Sequence, residues 1–305
     1  MSEEEVARAV ATNLASLGSM SVGTPSAGML LNGRNAQKNE LYAPVASGTA
    51  WGTQETLDYL DAALTKVHAA IPETPPLPLG DISAEHGGPI SPHVSHQAGR
   101  DLDIGYFYRG DQRWYRRGTA QNLDLERNWA FVRALVTETD VDLIFIDRSI
   151  QLLLKEYALS KGEDRAWVES LFGGAGQRAI IRHARGHATH IHVRFFNPVA
   201  QETARRSYAA LVARGIVPPV QSYLSHRVKK NETLGKIAKK YGVGVAAIKR
   251  ANRLKKSLIR EGRSYLIPVA HPRPAPPSQR LAFPPRRLPP DAPRRASADT
   301  GAARR

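Results

Sequence analysis

The chain has 305 residues, enough for two modest domains, and it contains no cysteine. Disulfide frameworks and thiolate zinc sites are therefore excluded. The formal net charge is +15, but it is concentrated after residue 225, so the basicity does not argue against an enzyme in the first two thirds of the chain. No apolar run approaches the ~20 residues that a membrane-spanning helix requires.

Apolar residues recur at helical and strand spacing along the first 200 residues. Ser2 and Glu5 have the spacing of a capping box, and the apolar stripe that follows predicts a helix over residues 2–17. Comparable stripes predict three further helices, at residues 54–69, 124–137 and 149–161. The run at 141–147 predicts a buried strand, and a glycine-bearing loop is expected at 171–177. Helices flanking a small sheet are typical of an α+β domain.

The stretch RGHATHIHVRF, residues 185–195, places two histidines two positions apart in an alternating apolar run. Because strand side chains alternate between faces, His190 and His192 are expected to project together, with Ile191 and Val193 on the opposite, core-facing side. A catalytic zinc ion usually has three protein ligands and one water. The two histidines therefore need at least one further ligand from elsewhere.

The stretch SPHVSHQAGRDLDIGY, residues 91–106, offers the missing ligands. His96 precedes Asp103 by seven residues, and Gly99 lies between them before a short strand from Leu102 to Tyr106. A loop histidine that turns at a glycine into a strand can bring an imidazole and a carboxylate to one point. These two residues and one histidine of the later pair predict a zinc site, although the pattern leaves open which of His190 and His192 is the ligand.

A zinc ion in such a site lowers the pKa of its water to about 7 and polarises a scissile carbonyl. A neighbouring histidine, whose ordinary pKa is about 6.5, can take up the water proton and pass it to a leaving amine. The pattern therefore predicts metal-assisted hydrolysis of an amide bond.

The combined pattern resembles the zinc peptidases grouped with lysostaphin, D-Ala-D-Ala peptidases and the hedgehog signalling domain. The longer match, SPHVSHQAGRDLDIGY with a later His-x-x-His-x-His, is similar to the penicillin-insensitive murein endopeptidases over about residues 20–200. The resemblance implies an α+β domain with a small central antiparallel sheet and one Zn²⁺ per chain. It implies the following roles: His96, Asp103 and His192 hold zinc, His190 and His187 act beside the metal, and His93 lies in the substrate cleft.

The segment GYFYRGDQRWYRRG, residues 105–118, is rich in aromatic side chains and arginine. We consider Arg109 and Trp114 candidates for lining a substrate groove. The alternative is an exposed connecting loop without a binding role, which is the more frequent outcome for such a segment.

Residues 226–269 are strongly basic and predict a strand, two helices and a strand, with Gly242 ending the first helix. The Asn-Glu-Thr-Leu turn at 231–234 and the closing Leu-Ile-Pro resemble the LysM module. That resemblance implies binding of glycan that contains N-acetylglucosamine, with these candidate contacts: Asn231, Thr233, Leu234 and Asn252. The alternative is a small nucleic-acid-binding domain, which is less favoured because a wall-binding module beside a wall-cleaving one raises the local substrate concentration.

The predicted organisation is a zinc peptidase domain over residues 1–217, a linker over 218–225, the LysM domain, and a tail over 270–305. The tail contains nine prolines and eight arginines and is expected to be disordered. The N-terminus is acidic, where a secretory leader needs positive charge. The two resemblances imply action in the periplasm or cell envelope, so we expect a leader that has been removed or another route of export or lysis.

These patterns predict a D,D-endopeptidase of peptidoglycan that cleaves the D-alanyl to meso-diaminopimelyl cross-link, as the family resemblance implies. The alternatives are a D-Ala-D-Ala carboxypeptidase, which would use the same zinc ligands, and a noncatalytic wall-binding protein. A nucleic-acid binder is the least favoured reading. We expect peptidoglycan as the partner, no specific nucleic acid, no transmembrane segment and no protein partner.

Overall fold

A computed structural model describes residues 1–173, 179–218, 223–252, 254–268, 281, 283 and 287–290. The chain forms two compact units. One comprises Met1–Leu14 and Arg205–Arg280, and the other comprises Ala15–Ala204 and Leu281–Arg305. The predicted linker and tail lie largely outside the described residues, and the predicted domain boundaries stay predictions. No helix in the described part of the chain is long and apolar enough to cross a membrane.

The chain begins with a helix, α1 (Glu3–Thr12), whose first turn is closed by the predicted capping box between Ser2 and Glu5. The helix is shorter than predicted. It ends at Thr12 because the backbone of Asn13 leaves the helical region, with φ −155° and ψ 76°. Leu14–Leu17 then form a separate 3₁₀ turn, so the apolar stripe over residues 2–17 is shared between two short elements.

The unit that begins at Ala15 contains most of the regular structure. Its strands are β1 (Met20–Thr24), β2 (Ala27–Leu31), β3 (Arg34–Asn35), β4 (Tyr42–Pro44), β5 (Trp51–Gly52), β6 (Leu77–Leu79), β7 (Asp101–Gly105), β8 (Val141–Phe145), β9 (Ile181–Arg182) and β10 (His190–Phe195). Its helices are α2 (Gln54–Ala70), α3 (Leu125–Glu138), α4 (Arg148–Ser160) and α5 (Arg165–Phe172), and α6 (Pro198–Ala213) begins in it. The α+β class is confirmed.

The helix starts follow from side chains that accept hydrogen bonds from first-turn amides. These caps are Thr53 for α2, Asp124 for α3, Asp147 for α4 and Asp164 for α5. Three of these helices agree with the predicted ranges to within about one residue at each end. The helix α5 has only eight residues and was not predicted. The glycine loop expected at 171–177 lies mostly outside the described residues.

Six strands form the central sheet in the order β4-β6-β7-β10-β8-β9. The inner neighbours run antiparallel, as expected, but β4 pairs with β6 and β8 pairs with β9 in parallel. The sheet is therefore larger than predicted and mixed. The difference arises at both edges, where three short strands were not predicted. On one edge β4 pairs with β6 across α2, and on the other β9 joins β8 after α4 and α5 complete a crossover.

One face of this sheet is the core. Ile191, Val193 and Phe195 of β10 are fully buried, as are Leu102 and Ile104 of β7. The helices α2 and α3 supply much of the rest of the same apolar cluster. Burial of these side chains holds β7 and β10 rigidly beside each other, which fixes the residues that alternate with them on the opposite face.

The second unit contains the predicted strand, two helices and strand: β11 (Tyr223–Arg227), α7 (Leu234–Tyr241), α8 (Val245–Ala251) and β12 (Ser264–Pro268). The strands pair antiparallel. Gly242 ends α7 in the left-handed conformation, with φ 65°, which glycine adopts without steric cost. A small core of Leu234, Ile237, Ile248 and Ile267 closes between the helices and the hairpin.

Candidate metal centre

The site is built on the two central strands β7 and β10. Their antiparallel register places His192 opposite Asp103 and His190 opposite Gly105. Because alternate residues share one face, both histidines and the carboxylate lie on the face opposite the core. The two stretches singled out from the sequence, 89 positions apart between Asp103 and His192, thus meet directly.

The loop before β7 brings His96 to the same point. The backbone of His96 is left-handed, with φ 66°, and so is that of Gly99. The His96 amide donates to Asp101 Oδ2 at 3.1 Å, and His96 Nδ1 lies 3.0 Å from the Ile82 carbonyl oxygen. A carbonyl can only accept, so Nδ1 carries the proton and Nε2 presents its lone pair to the site.

Three candidate ligand atoms converge there. His96 Nε2 lies 3.1 Å from His192 Nδ1 and 3.4 Å from Asp103 Oδ1, and the last two are 2.9 Å apart. Ligands of a tetrahedral zinc ion at about 2.0 to 2.1 Å are about 3.3 Å from one another. All three residues are at most 4 % exposed. Two imidazoles and a carboxylate at this spacing fit a divalent ion that accepts nitrogen ligands.

The electrostatics agree with that fit. Burial alone would raise the pKa of Asp103, but hydrogen bonds and charge interactions with His192 and His96 hold it well below its ordinary value. The carboxylate is therefore ionised and can act as a ligand at neutral pH. Burial opposes protonation of His96, while Asp103 and Asp101 outweigh it and raise the pKa of that imidazole. A bound cation would take the place of that proton.

A second set of three overlaps the first. The candidate ligand atoms of His93, His96 and Asp103 all lie within 4.8 Å of one another. However, His93 Nδ1 is 3.7 Å from Asp103 Oδ2, and its Nε2 lies 2.8 Å from Asp81 Oδ2. His93 is thus near the cluster, with Nδ1 on the side of Asp103 and Nε2 held by Asp81. Because His192 Nδ1 lies closer to the Asp103 carboxylate, at 2.9 Å, the distances favour His192 over His93 as the third ligand.

Two carboxylates that were not predicted as site residues, Asp101 and Asp81, lie next to the histidines of the site. Asp101 is almost fully buried, receives both Arg194 Nε and Nη2 at 2.6 and 3.0 Å, and lies 3.8 Å from His192 Nε2. Asp81 holds His93 and accepts the Thr49 hydroxyl. The alternation of Asp101 with Asp103 was a usable sequence signal, but nothing local to Asp81 pointed to the site.

His190 lies beside the three candidate ligands. Its Nε2 is 3.5 Å from Asp103 Oδ2, and its Nδ1 is 2.9 Å from the Thr189 hydroxyl. Burial lowers the pKa of His190 to about 4, so the imidazole is neutral at pH 7. His187 lies next to it, with ring centroids 4.9 Å apart. Burial also lowers the pKa of His187, whose Nδ1 faces the carbonyl oxygens of Ala184 and Arg185.

Comparison with known protein families shows which family the chain belongs to. The profile of the penicillin-insensitive murein endopeptidases matches residues 21–241, well over half of the chain. The chain belongs to this family. The LysM domain profile matches residues 226–268, so both resemblances seen in the sequence are confirmed. A search of curated proteins found no match.

An aromatic pair covers His190 in this murein endopeptidase. The Tyr115 ring stacks on the imidazole, with centroids 5.7 Å apart and planes 19° from parallel, and the Trp114 ring lies 5.8 Å away. Trp114, a predicted substrate contact, is thus brought to the site, whereas Tyr115 was not predicted. Arg109 lies instead in a depression with Arg113 and Arg116.

Trp114 packs against Gly80, where an added Cβ would lie 2.3 Å from the indole Cη2. Replacing Gly80 with alanine should therefore reduce activity without removing the metal. The new methyl group would push Trp114 out of its position beside His190, while the contacts among His96, Asp103 and His192 remain. We expect kcat/KM to fall about tenfold, which corresponds to a modest loss of positioning. Metal content by mass spectrometry and turnover of cross-linked muropeptide measure the two effects.

Gly48→Ala is the matched control, because a Cβ at that exposed position meets nothing within 4 Å. Equal activity of the Gly80→Ala and Gly48→Ala enzymes would show that Trp114 does not need this position. Loss of metal in the Gly80 variant would show instead that the substitution disturbs β7, since Gly80 also donates to the Asp103 carbonyl oxygen.

The candidate glycan contacts of the LysM domain have identifiable structural partners. Thr233 caps α7 at the Lys236 amide, and Leu234 is 2 % exposed. The Asn252 side chain joins the end of α8 to both backbone groups of Leu266. Asn231 has a left-handed backbone, with φ 61°. Leu234 belongs to the core of the domain, whereas Asn231 and Thr233 are exposed. A direct contact of the four residues with glycan stays a prediction.

Proposed function

We propose that this murein endopeptidase is a zinc-dependent D,D-endopeptidase that hydrolyses the D-alanyl to meso-diaminopimelyl cross-link. The observation that carries the proposal is the convergence of His96 Nε2, His192 Nδ1 and Asp103 Oδ1 within 3.4 Å of one another. Imidazole nitrogen with a single carboxylate is the donor set of catalytic zinc sites with three protein ligands.

In this proposal His96, Asp103 and His192 hold the ion. Bound zinc supplies Lewis acidity, which lowers the pKa of a water molecule and polarises the carbonyl of the scissile bond. The Ile82 carbonyl oxygen orients the ring of His96 through the nitrogen that faces away from the ion. The Asp101 carboxylate lies 3.8 Å from His192 Nε2, near enough for charge attraction but beyond hydrogen-bond distance.

His190 moves the proton. With Nδ1 donating to the Thr189 hydroxyl, Nε2 keeps its lone pair on the side of Asp103 and can accept a proton from water. The same nitrogen can then donate to the leaving amine, so a single group serves both halves of the hydrolysis. His187 is a positioning group, since it lies against His190 and its Nδ1 is turned to backbone carbonyls.

The presence of two domains supports proposals on the fold, the domain boundaries and the site of action. We propose that the zinc domain has the fold shared by hedgehog and D-Ala-D-Ala peptidases, that it ends near residue 217, and that the LysM domain follows after a short linker. The LysM domain would bind the glycan strands of peptidoglycan and keep the peptidase near its substrate. Such a substrate places the action outside the cytoplasm, in the periplasm or cell envelope.

Digestion of isolated sacculi tests the proposal. The full chain should release monomers from cross-linked dimers, chelation should stop the release, and zinc should restore it. Mass analysis distinguishes the activities, since loss of only a terminal alanine would identify a carboxypeptidase. Sedimentation with sacculi but no soluble product after zinc loading would identify a noncatalytic wall-binding protein and contradict the proposal.

A further inference from the structure

The segment from Arg109 to Arg116, here called the arginine loop, is held in a defined shape by its own polar groups. The Gln112 side chain accepts from the Tyr108 amide at 3.0 Å and donates to the carbonyl oxygens of Tyr108 and Gly110 at 2.8 and 2.9 Å. The Arg109 amide donates to the Asn122 carbonyl oxygen at 2.8 Å, and the Tyr108 hydroxyl donates to that of Arg116. These hydrogen bonds fix the conformation of the loop, so it presents its side chains in a defined arrangement.

This shape creates a cationic depression of about 610 Å³, which is lined by Arg109, Gly110, Asp111, Arg113 and Arg116. Three guanidinium groups face one carboxylate. Asp111 pairs with Arg113 at 3.3 Å, and both side chains are largely exposed. Arg116 lies over the Tyr108 ring at 5.2 Å. The lining thus has an excess of positive charge and planar donors that suit a carboxylate.

The arginine loop also supplies two residues to the metal centre. Trp114 and Tyr115, which lie between Arg113 and Arg116, are the residues that cover His190. Arg113 and Arg116 are therefore the chain neighbours of the two rings that cover the proton carrier. In the proposed reaction, the part of the substrate nearest to His190 late in the reaction is the leaving amine.

We propose that the arginine loop binds the free carboxylate on the carbon that bears the leaving amine of the cross-link. The inference rests on the proposed function. When one amine of diaminopimelate is acylated by D-alanine, the carboxylate on the same carbon remains free and lies beside the scissile bond. Arg113 and Arg116 would hold this carboxylate and thereby orient the leaving nitrogen toward His190. The loop would select peptides that carry a negative charge at this position.

Matched substrates test the inference in the full, zinc-loaded chain. One cross-linked dimer keeps this carboxylate free, a second has it as a carboxamide, and a third has only the terminal D-alanine carboxylate amidated. Arg113→Gln and Arg116→Gln should each lower kcat/KM about tenfold on the first and third substrates, the size of a lost charged hydrogen bond. They should leave the second substrate, which the wild type cleaves more slowly, almost unchanged.

Arg117→Gln is the control, because it removes one charge directly after the arginine loop at a residue that does not line the depression. Equal losses on all three substrates, or losses equal to those of Arg117→Gln, would overturn the inference. A loss on the first substrate but not on the third would move the contact to the terminal alanine and overturn the assigned position.

A binding measurement separates this inference from the proposed function. Calorimetry with the uncleaved stem tetrapeptide, as the acid and as the carboxamide, should show about tenfold tighter binding of the acid to the wild type and no difference with the Arg113→Gln/Arg116→Gln double variant. Equal affinities in the wild type would overturn the inference even if the enzyme cleaves sacculi. The expected preference together with no cleavage would overturn the proposed hydrolysis alone.

Discussion

Alanine at His96, Asp103 or His192 should abolish both metal binding and turnover. Each substitution removes one of the three atoms that converge within 3.4 Å, and two remaining ligands do not hold zinc in a catalytic site. We expect one equivalent of zinc in the wild type, much less than one in each variant, and a fall in kcat of more than about 10³-fold. Zinc content of the dialysed protein and muropeptide turnover measure these two quantities.

Because these residues are buried, the folded state must be checked separately. Removing Asp103 leaves His96 and His192 without their carboxylate partner, which costs stability of its own. Asp103→Asn keeps the shape and removes the charge, and circular dichroism should show a folded protein that still lacks zinc. His86→Ala, at an exposed histidine, should keep both zinc and activity.

Zinc content also decides whether His192 or His93 completes the ligand set with His96 and Asp103. His93→Ala should retain zinc, because His93 Nδ1 is 3.7 Å from Asp103 Oδ2, whereas His192 Nδ1 is 2.9 Å from Asp103 Oδ1. If His93→Ala loses zinc while His192→Ala keeps it, the ion is held by His93, His96 and Asp103. Full zinc retention in all of these variants would refute the metal centre.

His190→Ala should keep its zinc and lose most of its rate. Its imidazole lies 3.5 Å from Asp103 Oδ2, close enough to exchange a proton beside the ligands, but the three ligand atoms are complete without it. Loss of a general acid and base commonly costs 10²- to 10⁴-fold in rate, and we expect kcat to fall by about that factor. Zinc analysis and single-turnover kinetics on a cross-linked dimer provide the comparison.

Two outcomes would contradict this role for His190. Loss of zinc equal to that of His192→Ala would place His190 among the ligands. Unchanged kcat would assign the proton transfer to another group, and His187 is the nearest candidate, with its ring centroid 4.9 Å from that of His190. A parallel His187→Ala variant, for which we expect a smaller fall in kcat and full zinc content, resolves the second case.

The periodicity of apolar residues in the sequence was sufficient to predict elements that turn one apolar side to the core. The alternation in β10 predicted that His190 and His192 share a face, and the core residues Ile191 and Val193 lie on the other. The helices α2, α3 and α4 were predicted within about one residue at each end because their stripes are long and their caps are polar. The short helix α5 and the strand β9, with two residues, carry too few residues for a period to be visible.

By itself, the sequence determined the family, the LysM domain, the α+β class and the pool of histidines and aspartates from which a metal site can be drawn, because these depend on residue types at fixed spacing. Only the tertiary structure decided which of them meet. The register of β7 against β10 places His192 beside Asp103. The contact between His96 and the Ile82 carbonyl oxygen holds His96 near both, and the arginine loop stacks Tyr115 on His190. Contacts between residues that are distant in the chain depend on strand pairing and on loop closure over a packed core, and neither leaves a period in the sequence.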